Sequence, residues 1–210
     1  PGITLRDLVN AIPLFAIKKG LLTVDKANKK NIFNGKIMEI EGLPDLKLEQ
    51  AFELTDATAE RSCAGSTILL SHNTVEEYLK SNICLLEKMI ESNYEDAKSI
   101  SRRISDMKDW LKKPELIQPD KNAAYEEIIE IDLAKVTQPI VACPNDPDNV
   151  KEIKDVESTK IDEVFIGSCM TNIGHYRAAA KVLEGIEKLN AKLWICPPTK
   201  MDEERLKEEG

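Results

Sequence analysis

Val164-Phe-Ile-Gly-Ser-Cys-Met-Thr-Asn172 is the stretch of sequence that decides the fold of the second half of this chain. Its short apolar run ends in Gly-Ser-Cys, and an amphipathic pattern begins at Asn172, which together predict a strand, a tight turn and a helix. The turn places Cys169 at the exposed carboxyl end of the strand, beside the positive end of a helix dipole. A thiolate is favoured at such a position, and thiolates are the ligands of iron–sulfur clusters.

The sequence on either side of this turn alternates between strand and helix patterns. We predict a strand over Val164–Gly167, a helix over Asn172–Leu189 and a strand over Leu193–Cys196. Because a whole helix joins the two strands, they should be parallel and form a right-handed βαβ unit. Ligand sites in such sheets lie beyond the carboxyl ends of the strands. Cys169 has that position, and so, roughly, have Cys143 and Cys196.

The rest of the chain predicts more elements of both kinds. Helices are expected from Thr4, over 46–60, from a capping box at Thr74 to Glu91, within 94–113 and from Asp202, and strands over 36–41, 67–70, 128–133 and 138–143. We therefore predict an α/β protein of two lobes, with parallel or mixed sheets flanked by helices. The first lobe is expected over residues 1–90, a helical connector over 91–122 and the second lobe over 123–210.

Composition bounds the function. The 210 residues carry a formal charge of −8, which makes nucleic acid an unfavoured partner for this chain. No apolar run approaches the ~18 residues of a membrane span. The five cysteines are widely spaced and include no C-x-x-C pair, which favours a reducing compartment, the cytoplasm, over a disulfide framework. The first residues lack an initiator Met, so we expect a piece of a longer protein.

Cys169 is the first candidate for chemistry. A small buried residue at a tight turn is the alternative interpretation, because free cysteine is often buried. Ser168, Thr171 and Asn172 add polar groups beside it that would hydrogen-bond cluster sulfurs or a substrate. A buried apolar turn would not need three of them.

Asp56 and Glu60 are the second candidate. They lie four residues apart, which places them on one face of the predicted helix. Paired acids on a helix usually form a solvated face, and that interpretation stays open. The small residues of the run 62–66 follow directly and permit close approach of a ligand.

Four stretches together resemble the aconitase family. The run Ile161–Ala179 is similar to its bacterial B branch, where the usual Ser-Cys-Thr-Asn becomes Ser-Cys-Met-Thr-Asn. Thr4–Asp7 resembles the start of the family's second domain, Glu53–Gly65 its helix with an active-site Glu, and Tyr125–Leu133 the entry to its third domain. The matches occur in the family's order and cover nearly the whole chain.

This resemblance implies a hydro-lyase of the citric acid cycle that interconverts citrate and isocitrate through cis-aconitate. It also implies a [4Fe–4S] cluster, held by three cysteines, whose open iron is a Lewis acid. Cys169 matches the first cluster cysteine, and Glu60 matches the acid that hydrogen-bonds the leaving hydroxyl. Asp56 stands where better-known members have Asn. The polar surround of the cluster is matched by Ser168, Thr171 and Asn172.

The departures from the family are equally specific. The C-x-x-C pair, the serine base, most substrate-binding arginines and the swivelling domain are not found in this sequence, although Cys143 or Cys196 are possible substitute ligands. We therefore expect an internal piece, second domain and part of the third, that is inactive alone and lacks the cluster. A 2-methylisocitrate dehydratase and a non-catalytic RNA or protein interaction module are the alternatives. A dry cleft lined by Cys169 and Glu60 would favour an enzyme, and a basic patch would favour RNA binding.

Overall fold

The computed structural model describes residues 3–25 and 27–210. The chain divides into two compact units, one reaching to Asp155 and the other running from Val156 to Gly210. Both mix helices with small sheets, so the predicted α/β class is confirmed. Within the described residues, no helix combines the length and the apolarity that a membrane crossing requires.

The first unit contains four helices and four strands among its described residues. They are α1 (Leu5–Lys18), β1 (Ile37–Ile40), α2 (Leu48–Asp56), β2 (Gly65–Ile68), α3 (His72–Glu91), α4 (Ala97–Lys112), β3 (Ile140–Ala142) and β4 (Val150–Glu152). Helix α1 begins at the predicted Thr4, whose hydroxyl and main-chain N–H both donate to the Asp7 carboxylate. Pro13 lies within α1.

Strands β1 and β2 pair in parallel, with α2 as the connection between them. The register runs from Ile37 opposite Gly65 to Ile40 opposite Ile68. Helix α2 buries Leu54 against Val9 of α1, at 1% and 2% exposure. This packing fixes the end of α2, where the candidate acids lie.

Helices α3 and α4 form a hairpin with a core of their own. Ile83 and Leu86 of α3 pack against Ile100 and Ile104 of α4. The predicted capping box at Thr74 is wrong, because α3 begins at His72. The side chain of Ser71 accepts the main-chain N–H of Thr74 at 3.4 Å and caps the helix instead.

Strands β3 and β4 form an antiparallel hairpin that packs on α1. Asn10 Nδ2 donates to the carbonyl of Ile140 at 2.7 Å, and the N–H of Ile140 donates to Asp7 Oδ1 at 2.8 Å. These buried bonds tie residues 140–152 to the first unit. The predicted strand over 128–133 is wrong, since the structure places a 3₁₀ turn at Leu133–Lys135 and no strand before it in that range. The division of the chain at 91–122 stays a prediction.

The second unit contains β5 (Glu163–Ile166), α5 (Ile173–Leu183), β6 (Lys192–Ile195) and α6 (Lys200–Glu209). Strands β5 and β6 are parallel, which confirms the predicted βαβ unit. Helix α5 is shorter than predicted. It ends at Leu183, and Gly185 takes the left-handed conformation with φ +77°.

Candidate active site

Cys169 lies in the turn between β5 and α5 and is exposed. It follows the carboxyl end of β5, as the sequence predicts. Because β5 and β6 are parallel, Cys196, which follows β6 and is also exposed, lies at the same edge of the sheet. This edge presents the two cysteines of the second unit.

The turn is held against the end of β6 by close backbone contacts. The N–H of Cys196 donates to the carbonyl of Ile166 at 2.9 Å. A Cβ atom on Gly167 would lie 2.8 Å from the carbonyl oxygen of Cys196, closer than real Cβ atoms come. Gly167 is therefore required by this approach, and it places the Cys169 turn directly beside the end of β6.

Polar side chains around Cys169 stabilise the turn itself. The buried Tyr176 donates from its hydroxyl to the carbonyl of Cys196 at 2.7 Å and lies 2.8 Å from Thr171 Oγ1. Thr171 Oγ1 donates to the carbonyl of Ser168 at 2.6 Å, and Ser168 Oγ accepts the N–H of Met170 at 3.1 Å. Each hydroxyl thus has a local structural role.

Asn172 caps α5. Its side chain accepts the N–H of Gly174 at 2.9 Å, and its own N–H donates to His175 Nδ1 at 3.1 Å. The amino end of α5 is therefore capped by protein groups. The interaction of Ser168, Thr171 and Asn172 with a cluster or substrate stays a prediction.

The second candidate, Asp56 and Glu60, lies where α2 ends. Helix α2 stops at Asp56, and a 3₁₀ helix continues over Ala57–Arg61. The predicted single helical face for the two acids is wrong, because a 3₁₀ helix has three residues per turn and rotates Glu60 away from the position four residues earlier. Both acids are exposed. The segment ends at Ser62, which takes a left-handed conformation with φ +64°.

Arg61 is the residue in this region that sequence reasoning missed. It is 2% exposed, whereas the side chain of its neighbour Glu60 is 59% exposed. Burial lowers the pKa of Arg61, and the carboxylates of Asp148 and Glu60 oppose that shift. Asp148 is also buried and accepts from Lys29 Nζ at 2.8 Å. Charged residues usually lie at the surface, so no pattern in the sequence predicts the burial of Arg61 and Asp148.

A cavity of about 510 Å³ lies elsewhere in the first unit. It runs along β1 and is bordered by residues 123–127, where the Tyr125 hydroxyl donates to Glu39 at 2.5 Å. Cys63 contributes to its wall, but Asp56 and Glu60 do not. The cavity therefore does not coincide with the predicted acid site.

Among the described residues, no group of three or more His, Cys, Asp or Glu side chains is arranged to hold a metal ion. Cys143 follows β3 in the antiparallel hairpin of the first unit, so it does not share the sheet edge of Cys169. The described residues therefore do not form a complete cluster site, and the role of Cys169 as a cluster ligand stays a prediction.

The sequence comparisons agree with the resemblance in the four stretches. The chain is 61% identical over 210 residues to "Aconitate hydratase B" of Synechocystis sp., and 60% identical over 211 residues to "Aconitate hydratase B" of Escherichia coli. All of this chain is covered in both alignments, but it spans 24% of the length of each relative. No protein-family model matches the chain.

A second enzyme is related more distantly. The "3-isopropylmalate dehydratase large subunit" of Clostridium kluyveri is 30% identical over 182 residues, which cover 86% of this chain and 36% of that protein. The identity to the two aconitate hydratase B sequences, 61% and 60% over all of this chain, is twice as high. By sequence, the chain therefore belongs with aconitate hydratase B in the aconitase family.

Proposed function

We propose that the protein carrying this sequence is a cytoplasmic aconitate hydratase, a lyase that interconverts citrate and isocitrate through cis-aconitate in the citric acid cycle. The observation that carries the proposal is the identity of 56–61% over the entire chain to five aconitate hydratase B sequences. The 30% identity to a 3-isopropylmalate dehydratase supports the same type of reaction on a different acid.

Cys169 is proposed as one ligand of a [4Fe–4S] cluster. Its exposed position beyond the carboxyl end of β5 supports this role, and the remaining ligands are supplied by other parts of the whole enzyme. When bound, such a cluster supplies a Lewis acid for the hydroxyl and carboxylate of the substrate. Ser168, Thr171 and Asn172 keep the thiolate-bearing turn in shape through the hydrogen bonds described above.

Glu60 is proposed as the acid that meets the leaving hydroxyl group. Its carboxyl projects from a short 3₁₀ segment whose other residues are small apart from Arg61, and Arg61 is buried, so the segment leaves the exposed carboxyl accessible to a small substrate. A carboxyl group within hydrogen-bond reach shares its proton with the departing oxygen, which leaves as water. Asp56, exposed one turn before it, is proposed to contact the substrate or that water.

The cytoplasmic location rests on the five cysteines, whose thiols are all free in the structure. The partners proposed are the tricarboxylic acids themselves. The formal charge of −8 disfavours the alternative of an RNA-binding module, because phosphates are bound mainly by Lys and Arg, and the acidic residues of this chain outnumber them by 37 to 29.

The test uses the whole protein, reconstituted with iron and sulfide without oxygen. Formation of cis-aconitate from citrate and from isocitrate is measured, with 2-methylisocitrate and 3-isopropylmalate as competing substrates. We expect citrate and isocitrate to be preferred. A preference for either competing acid would reassign the substrate, and no turnover of any of the four would overturn the enzyme.

Cys169→Ser tests the ligand in the same protein. We expect it to remove both the cluster absorbance and the activity. Cys84→Ser is the matched control, because Cys84 is an exposed cysteine on α3 in the first unit. Full cluster absorbance in Cys169→Ser would show that Cys169 is not a ligand.

A further inference from the structure

The buried Arg61 beside the exposed Glu60 is a feature of the first unit that the reaction described so far does not use. An arginine at 2% exposure carries a charge into the interior, which is costly unless the charge is paired and hydrogen-bonded. The contacts of Arg61 therefore indicate how its charge is stabilised and which group it orients.

One end of the guanidinium group is anchored on α1. Arg61 Nη2 donates to the carbonyl of Val9 at 3.5 Å, and Val9 itself is buried at the centre of the packing between α1 and α2. The main chain is fixed as well, because Asn31 Nδ2 donates to the carbonyl of Arg61 at 3.1 Å. Side chain and backbone of Arg61 are thus both held by elements other than its own 3₁₀ segment.

The other end of the guanidinium group points to Glu60. Arg61 Nη1 lies 3.6 Å from Glu60 Oε2, at a distance of an ion pair. In the part of the chain that the structure describes, Nη1 is buried and has no hydrogen-bond partner. Adjacent residues of a helix do not normally face each other, so this contact depends on the length of both side chains.

Asp148 is the other carboxylate whose charge acts on Arg61. Its Oδ2 accepts from Lys29 Nζ at 2.8 Å, and its Oδ1 is buried without a hydrogen-bond partner among the described residues. Within the described residues, Glu60 is the only carboxylate at ion-pair distance from Arg61. The exposed Glu60 is therefore paired with a buried cation that also contacts α1.

We propose that Arg61 is a positioning residue that holds the Glu60 carboxyl group in its working orientation. The proposal rests on the proposed function of Glu60. A flexible, exposed glutamate samples many rotamers, and a fixed guanidinium beneath it selects those that keep Oε2 near Nη1. Misplacement of a catalytic group by about 1 Å lowers the rate ~10²-fold. Loss of the orientation that Arg61 gives to Glu60 should therefore lower the turnover rate measurably.

Arginine suits this role better than lysine. Its planar fork presents several N–H groups in fixed directions, so it contacts the Val9 carbonyl and the Glu60 carboxylate at once. Lysine keeps the positive charge but has a single ammonium group. Arg61→Lys therefore removes the positioning while retaining the charge.

The experiment is a double-mutant cycle in the whole, cluster-loaded enzyme, with Arg61→Lys, Glu60→Gln and the double variant. We expect Arg61→Lys to lower kcat about tenfold or more, with KM changed less than about twofold. In the Glu60→Gln background the same substitution should change kcat less than about twofold, because its effect passes through Glu60. Arg6→Lys is the matched control, since Arg6 pairs with Glu53 of α2 at 2.6 Å, and it should leave kcat unchanged.

The outcomes separate two failures. If Glu60→Gln lowers turnover strongly and Arg61→Lys adds its full effect in that background, Arg61 does not act through Glu60 and this inference is overturned alone. If Glu60→Gln leaves turnover unchanged, the proposed role of Glu60 fails and this inference fails with it.

A measurement without the cluster completes the test if no Arg61 variant folds. Glu60→Gln should lower the thermal midpoint of the cluster-free protein by about 1–2 °C, because it removes the charged group that lies 3.6 Å from the buried guanidinium. Glu115→Gln, at an exposed acid after the end of α4, should not. Equal midpoints for the two variants would refute the ion pair.

Discussion

The two βαβ units of the chain hold their candidate residues at opposite ends. In β5–α5–β6, Cys169 follows the first strand and precedes the helix, so it lies at the carboxyl edge of the sheet. In β1–α2–β2, Glu60 follows the helix and precedes the second strand, so it lies at the amino end of β2. The same local topology thus presents a thiol from one edge and an acid from the other.

The two units also differ in how they surround these residues. The acid segment of the first unit lies over a packed interior, where Leu54 and the charged Arg61 are both almost inaccessible to solvent, although Leu54 also borders the cavity along β1. The cysteine turn of the second unit lies beside strands whose large side chains are open, with Phe165 at 63% and Trp194 at 49% exposure. The proposed acid Glu60 therefore lies on a buried, well-packed interior. The thiol of Cys169 lies at a sheet edge where the neighbouring side chains are exposed.

The largest expected effect concerns the acid. In the whole enzyme, Glu60→Gln should reduce turnover by ~10²–10⁴-fold, because the amide keeps the shape but removes the exchangeable proton. The cluster spectrum of the same sample should stay unchanged. Glu49→Gln is the control for an exposed acid on α2. Turnover within error of the parent enzyme would make Glu60 a solvated surface residue.

The next largest effect is expected from a substitution at the buried Leu54 of the first unit. Leu54→Ala should destabilise the first unit by about 2–5 kcal/mol, because the packed neighbours cannot fill the space that the removed side chain leaves. Phe165→Ala in the second unit should cost less than about 0.5 kcal/mol, since most of that side chain is already in solvent. Hydrogen exchange of the 210-residue chain, read separately over α2 and β5, measures both. Equal losses of protection would contradict the difference between the units.

The hydrogen bonds of the cysteine turn give a smaller effect. Tyr176→Phe removes the donor to the Cys196 carbonyl and should cost about 1 kcal/mol in the second unit. The exposed Tyr94, between α3 and α4, supplies the control Tyr94→Phe. Thermal unfolding and exchange over α5 report the change. A null result for Tyr176→Phe would mean that the close strand ends alone hold the turn.

Sequence patterns were sufficient where one strong signal decided the structure. The apolar run before Gly167 and the amphipathic pattern from Asn172 predicted β5, the turn and the start of α5, and with them the place of Cys169. The long apolar periodicity of 94–113 likewise predicted α4. In each case local chemistry and the fold require the same conformation.

The sequence patterns failed where contacts between residues far apart in the sequence determine the local structure. Residues 128–133 have the composition of a strand, but β3 pairs with β4 instead, and the hydrogen bonds of Ile140 to α1 fix that hairpin. The buried guanidinium of Arg61 likewise contacts the carbonyl of Val9, 52 residues away. Periodicity within one segment carries no information about such partners.

The smallest expected effect is a difference in thiol reactivity between the units. Burial raises the pKa of Cys63, despite the opposing hydrogen bond with Thr58 and the charge of Arg61. Because only the thiolate reacts, Cys63 should be alkylated more slowly at neutral pH than the exposed Cys169 and Cys84, and its rate should rise further as the pH approaches that raised value. Peptide mass spectrometry of the 210-residue chain after timed iodoacetamide exposure measures each site. The same series in denaturant should bring the rates together, because the difference comes from folding. If Cys63 reacts as fast as Cys169 in the folded chain, burial does not protect the Cys63 thiol, and the contrast between the two units is lost.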